Sequence, residues 1–231
     1  MTVSRRAVLG MAIAGGGAAA IAHAQTGASP AAYVVVYLET AASEARAAAA
    51  LLRQREAAGR RAAGNLFLFA LEEIGRPSRF AVVSGWRDRE ALGAHERTLA
   101  TNGSEARLLA LLVSPPDLRL NSALTVAPPA GAATPAAVYV LTHADIVPPA
   151  KAQAMPLIEQ FARDARREGG NLWFDAFYQN SRPNHFTLFE AWRSPQAFAA
   201  HRTAAGTRAF RQKVLPMQGA LYDERVYRAL G

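Results

Sequence analysis

The chain has no cysteine in 231 residues. That excludes disulfide staples, thiolate metal centres, covalent attachment of a c-type haem and a cysteine nucleophile. Lysine is nearly absent as well: of 26 basic residues, only Lys151 and Lys213 are lysines. The arginines are scattered, and no RNA- or DNA-binding signature accompanies the formal charge of +8, so no nucleic-acid partner is expected. A long apolar run is missing too. The nearest approach, Ala7 to Ala22, is too short and too rich in glycine to span a bilayer comfortably.

Residues 1–24 have instead the features of a targeting peptide. Ser4-Arg5-Arg6 precedes the mild apolar run, and Ala22-His23-Ala24 offers a small-x-small cleavage site. The twin arginines imply twin-arginine (Tat) export, a periplasmic or secreted mature chain, and no membrane association once the signal is cleaved. Substrates of that route generally fold before export, so a ligand could be acquired in the cytoplasm.

What the sequence has in abundance is repetition. From Tyr33/Tyr139 to His95/His201, an ungapped offset of 106 gives 19 identities in 63 aligned positions. Asn65/Asn171, Pro77/Pro183, Phe80/Phe186, Trp86/Trp192 and His95/His201 are among them. Internal duplication is the direct reading. It divides the mature chain into two related domains, 33–127 and 137–231, joined by a Pro- and Gly-containing linker, 128–136.

In the first copy, β-branched and aromatic runs predict strands at Tyr33–Leu38, Asn65–Glu73, Phe80–Trp86 and Leu118–Val126. Ala-, Leu-, Arg- and Glu-rich stretches predict helices at Ser43–Arg61, Arg89–Leu99 and Glu105–Val113. The second copy repeats the pattern: strands Ala137–His143, Asn171–Gln179, His185–Trp192 and Ala220–Tyr227, with helices Lys151–Glu168, Pro195–Thr203 and Thr207–Val214. In its long helix, Ala154, Leu157, Ile158, Phe161 and Ala165 form the core stripe, and Pro156 falls near the first turn. The order β-α-β-β-α-β is that of a ferredoxin-like α+β domain, an antiparallel four-stranded sheet with helices on one face. The other sheet face needs a cover, and the tethered second copy supplies one. The expected architecture is two such domains packed sheet to sheet as an intramolecular pseudo-dimer.

The same order, Gly-Asn opening the second strand, Glu190-Ala191-Trp192 closing the third and His201 nine residues on resemble the antibiotic biosynthesis monooxygenase family. Its members are typically dimers of one such domain, a dimeric α+β barrel, so a tandem resembles a fused dimer. The resemblance implies a pocket between sheet and helices in each copy, with Asn65, Trp86 and His95 around one and Asn171, Trp192 and His201 around the other. It also implies oxidation of an electron-rich aromatic or quinol by molecular oxygen without a cofactor or metal. An electron-rich phenolate or enolate can itself give oxygen an electron. The protein then need only exclude water, orient the ring, remove a proton and stabilise the oxyanion, with asparagine as donor, tryptophan as ring guide and histidine as base.

Each residue also has a plainer role. Asparagine after glycine is a common turn residue, tryptophan at a strand end is commonly core, and a helix histidine can simply be packed. The second copy carries the more distinctive wall: by strand alternation Asn171, Trp173, Asp175 and Phe177 share a face, and Glu190 matches the family's Glu-x-Trp where the first copy has Ser84-Gly85-Trp86. His143 is a further polar candidate. Two other classes of function stay open: a non-catalytic binding or structural module, and a haem binder or haem-degrading protein, because relatives of this fold use an Asn, a Trp and a His ligand for haem.

Overall fold

The alternation of β-rich and helix-rich stretches folds in the expected order in both copies. A computed structural model describes residues 31–131 and 134–231; the export signal expected at 1–24 lies outside them. The first half comprises β1 (Ala32–Glu39), α1 (Ala45–Gly59), β2 (Asn65–Glu73), β3 (Arg79–Trp86), α2 (Arg89–Thr101), α3 (Ser104–Leu109) and β4 (Asp117–Thr125). The second comprises β5 (Val138–Asp145), α4 (Lys151–Ala165), β6 (Asn171–Gln179), β7 (His185–Trp192), α5 (Pro195–Thr203), α6 (Ala205–Val214) and β8 (Asp223–Ala229). The long helices are shorter than expected, each opening on a 3-10 turn or closing early, and α4 continues through Pro156. Among the described residues no helix is long and apolar enough to cross a membrane.

The same local chemistry shapes equivalent joints. Asp88 and Ser194, 106 residues apart, cap α2 and α5 by accepting from Ala91 N and Ala197 N at 2.7 and 3.2 Å. Gly64 and Gly170 precede β2 and β6 at φ of +79° and +94°. A Cβ there would lie 2.6 and 2.7 Å from the Cβ of Ala91 and Ala197, so glycine is required both by dihedral and by contact. We expect Gly170→Ala to destabilise the protein by about 1–3 kcal/mol in urea unfolding. Gly75→Ala, at φ +86° with open space around it, should cost less. Equal losses would show that the contact with α5 contributes nothing.

Each half is a ferredoxin-like sheet, β4-β1-β3-β2 and β8-β5-β7-β6, and the two join along both edges into one closed barrel. Closure removes the exposed edges that two facing sheets would leave. Trp86, Leu52 and Phe80 pack under the helices of the first half, and Trp192, Phe161, Phe174 and Phe210 under those of the second. In α4 the expected stripe is buried at Ala154, Ile158, Phe161 and Ala165, with Leu157 partly covered. The barrel interior is filled from both sheets by Tyr33, Tyr139, Phe177, Phe189 and Tyr227 among others.

The two seams differ. At one, β4 follows β6 as far as Thr125↔Ala176, and Ala127 N then donates to Asp175 Oδ1 at 3.0 Å. At the other, β8 pairs with β2 only from Leu71 to Glu73, followed by Leu230 N donating to Ala70 O. Beyond that point the Asn65–Phe69 edge of β2 has no strand partner on this side among the described residues.

Candidate functional site

Glu190 and Trp192 project from β7 toward the helices, and His201 comes down on them from α5. The indole of Trp192 stacks on the imidazole at 4.3 Å, and its Nε1 donates to Glu190 Oε2 at 2.9 Å. His201 Nδ1 donates to Glu168 Oε2 at 3.0 Å, while Nε2 faces Glu190 Oε2 at 3.5 Å. Burial lifts the Glu190 carboxyl to about 8 and, as the largest influence, pulls His201 below the usual histidine range despite Glu168 beside it. At neutral pH the proton therefore sits on Glu190 and the imidazole is neutral.

Of the residues expected around this pocket, Trp192 and His201 do meet, and Glu190, expected in the aromatic and acidic wall, joins them instead; all three are sealed, with His201 2% exposed, Glu190 2% and Trp192 0%. Both imidazole nitrogens are directed at carboxylates, so the donor set does not fit an axial haem ligand as arranged. In the first half, Trp86 stacks on His95 at 4.7 Å and donates to Ser84 Oγ at 3.0 Å, with the small Ser84 where Glu190 would be. Burial and Arg55 hold His95 low as well.

The alternation argument needs correcting at Asn171. Trp173, Asp175 and Phe177 do share the barrel-facing side, but a register shift between Asn171 and Trp173 makes Asn171 the cross-strand partner of Trp192. Trp192 and His201 lie behind the sheet that carries Trp173 and Phe177, so the aromatic wall and the histidine do not face one pocket. Asn171 Nδ2 donates to Trp173 O at 3.3 Å and its buried Oδ1 has no partner. An equal shift at Asn65/Phe67 marks the first copy, where Asn65 Nδ2 donates to Phe67 O at 3.1 Å. Phe177 is fully buried against Tyr33, with ring centroids 4.7 Å apart.

Asp175 is a wall support. Its Oδ2 accepts from Trp173 Nε1 at 2.7 Å, and its Oδ1 accepts from Ala127 N and lies 3.7 Å from Arg166. Burial raises it to about 6. His143 is elsewhere again, at the far end of the barrel interior. It is held near 3 by burial and is therefore neutral; its Nε2 shares a hydrogen bond of 2.5 Å with Tyr37 OH and its Nδ1 one of 3.1 Å with Thr187 Oγ1.

The open cavity, about 390 Å³, lies where the β2 edge is unpaired. Its walls are Phe67 and Phe69 from the first half with Tyr139 and Trp173 from the second; the Trp173 ring meets Phe67 at 4.9 Å and Phe69 at 5.6 Å, edge to face. Gly85 lets Phe67 lie flat, since a Cβ there would come 2.5 Å from the ring. Asn65 and Arg60 provide polar groups at the rim. Arg60 donates to Leu68 O at 2.8 Å, pairs with buried Glu56 and sits 5.4 Å over Phe69. Arg166 makes the equivalent 2.8 Å bond to Phe174 O, but it also reaches Thr125 and Asp175, and the second seam is filled.

The model of the family described as antibiotic biosynthesis monooxygenase matches residues 31–101 and 137–213, well over half of the chain. The chain belongs to the antibiotic biosynthesis monooxygenase family. No curated protein matches it. Among solved structures, a proposed monooxygenase from Fusobacterium nucleatum superposes with a TM-score of 0.81 at 15% identity, covering 88% of this chain and 94% of its own. Another from Lactobacillus acidophilus gives 0.75 at 9%, covering 87% and 95%. An anthrone oxidase-like protein gives 0.62 at 15%, covering 86% and 91%. At these identities the likeness is one of fold, and it extends to the fused two-repeat barrel. Family membership supports a monooxygenase-like function.

Arg60, Phe67, Phe69 and Tyr139 were not anticipated as site residues. The repeat did contain a signal: Arg60/Arg166 and Tyr33/Tyr139 are identities.

Proposed function

We propose that this chain is a monooxygenase that takes a flat, electron-rich phenol, quinol or anthrone into the cavity at the open seam and oxidises it with molecular oxygen, without a resident cofactor. The supporting observation is that cavity: four aromatic rings from both halves surround about 390 Å³, with one guanidinium at the rim. The walls suit a planar ring, and Arg60 suits its phenolate or enolate oxygen. None of the described lining residues is acidic or a histidine, so proton loss is completed to solvent at the mouth, aided by the Arg60 Nη that Glu56 does not engage.

The ionised ring gives oxygen an electron, and recombination forms a ring C–O bond. For an anthrone, the ring CH2 becomes C=O and the second oxygen atom leaves as water with both hydrogens, so no external reductant enters the balance. Asn65 at the rim can hydrogen-bond the leaving or attacking oxygen. With the expected export, the reaction would run outside the cytoplasm.

Purified, metal-free protein should consume oxygen with such a substrate above autoxidation. Arg60→Gln should lower the rate by on the order of tenfold to a thousandfold and shift the pH profile upward, because the substrate must then ionise unaided. Trp173→Phe should raise KM more than it lowers kcat. Background uptake across a panel of quinols and anthrones, or wild-type rates in both variants, would reject the catalytic reading. Saturable binding of the same compounds without turnover would leave a binding module, a second reading with which the described lining, free of acid and histidine, is also consistent.

A further inference from the structure

The geometry points to a second small-molecule site, at the opposite end of the barrel, that takes a small primary ammonium ion with Glu73 as its counter-ion. The cavity there is about 290 Å³ and opens beside Ser114 and Pro115. Its lining includes Tyr37 and Tyr227 from the barrel interior. It shares no lining residue with the cavity at the open seam, whose nearest lining residue on β2, Phe69, is four residues from Glu73, and the inference does not rest on the oxidation proposed above.

Charge bookkeeping at this end leaves one group over. Glu39 pairs with Arg79 at 3.1 Å, Asp117 with Arg119 at 2.7 Å, and Arg225 with Asp223 at 2.6 Å. Glu73 has only the exposed Arg76, at 3.7 Å from Oε1, beyond hydrogen-bond range. The residue is 9% exposed, and its Oε2 is buried without a hydrogen-bond partner. Tyr227 is its cross-strand neighbour, so the carboxylate lies against an aromatic ring on the cavity side.

A buried carboxylate oxygen lacking a donor is a costly state that an arriving N–H relieves. An anion has no claim here, since the arginines are already matched to carboxylates. A guanidinium is poorly served, because its planar fork wants two free oxygens and Oε1 of Glu73 already faces Arg76. A primary ammonium is compact, positively charged and carries three donors, and Tyr37 and Tyr227, both on the barrel-interior face, would hold a short apolar body behind it.

The test uses the full-length mature protein, isothermal titration calorimetry and phenethylammonium chloride, with 2-phenylethanol as the neutral analogue of the same shape. We expect one ammonium per chain, with affinity for the alcohol and affinity of Glu73→Gln for the ammonium each lower by about tenfold or more. Arg60→Gln, at the other cavity, should bind the ammonium as wild type does. Equal affinity for ammonium and alcohol, unchanged affinity in Glu73→Gln, or no heat up to about 10 mM would overturn the site and assign the Glu73 oxygen to water. If circular dichroism shows that Glu73→Gln is unfolded, the comparison of ammonium with alcohol on the wild-type protein decides alone.

Discussion

Two polypeptides covering 31–127 and 137–231, produced separately, should not yield folded monomers. Each would keep its helices and its own four-stranded sheet, but the first would lose β8 from the edge of β2 and β6 from the edge of β4. It would also expose the barrel-facing side of its sheet, with Tyr33, Val35, Leu71 and Val83 now in water. Unpaired edges beside an apolar face favour self-association. The expected products are aggregates or homodimers, whereas co-expression should recover a soluble one-to-one complex. Size-exclusion chromatography with light scattering distinguishes these. A monomeric half that unfolds cooperatively would mean that the barrel seams contribute little to stability.

The second large effect is on the pH dependence of stability. In the folded chain burial raises the Glu190 carboxyl to about 8, from an ordinary 4.5. Between those values the folded state holds a proton that the unfolded state has released, so stability falls as pH rises, by about 1.4 kcal/mol per unit. His201 acts in the opposite sense. Its folded pKa is depressed below 6.5, so the unfolded state binds the extra proton and rising pH adds stability up to about 6.5.

The two trends oppose each other below about 6.5, and only the loss from Glu190 continues from there to about 8. Over that interval it amounts to roughly 2 kcal/mol. Glu190→Gln keeps the volume and an oxygen to accept from Trp192 Nε1 but cannot ionise. Urea unfolding at pH 6.5 and 8.5 should show a marked fall for the wild type and little for the variant, which becomes the more stable protein at the higher pH. The same fall in both proteins would mean that another group controls the alkaline loss.

Element order was legible because the duplication doubled every local signal. The strands Asn65–Glu73, Asn171–Gln179 and His185–Trp192 and the helix Pro195–Thr203 have the bounds read from their patterns. Edge-to-edge closure was less legible, since it depends on how far β4 and β8 travel beside strands of the other half, and no local pattern encodes that distance. The bulges at Asn65/Phe67 and Asn171/Trp173 were hidden for a similar reason: each adds a residue without disturbing the run of apolar side chains. Trp192 and His201 were grouped through the family resemblance, and they meet because one closes a strand and the other lies on the helix that follows; Glu190 was expected in the wall, and its place beside them depends on which face of β7 it takes. The cavity was missed because Phe67, Tyr139 and Trp173 meet only once the barrel has closed.

The unequal seams have a consequence for how such a protein can change. In a dimer of identical single-repeat chains every substitution falls on both halves, so both seams open or close together. Fusion removes that constraint. Phe69 in the first copy corresponds to Asp175 in the second, and Glu56 to Ala162. The Asp175 carboxylate, with Arg166 and Ala127, fastens one seam, while the opposite seam keeps Phe69 as a wall of an open cavity. One half can thus specialise in holding the barrel shut and the other in admitting a ligand, a division of labour that no symmetric ancestor could encode.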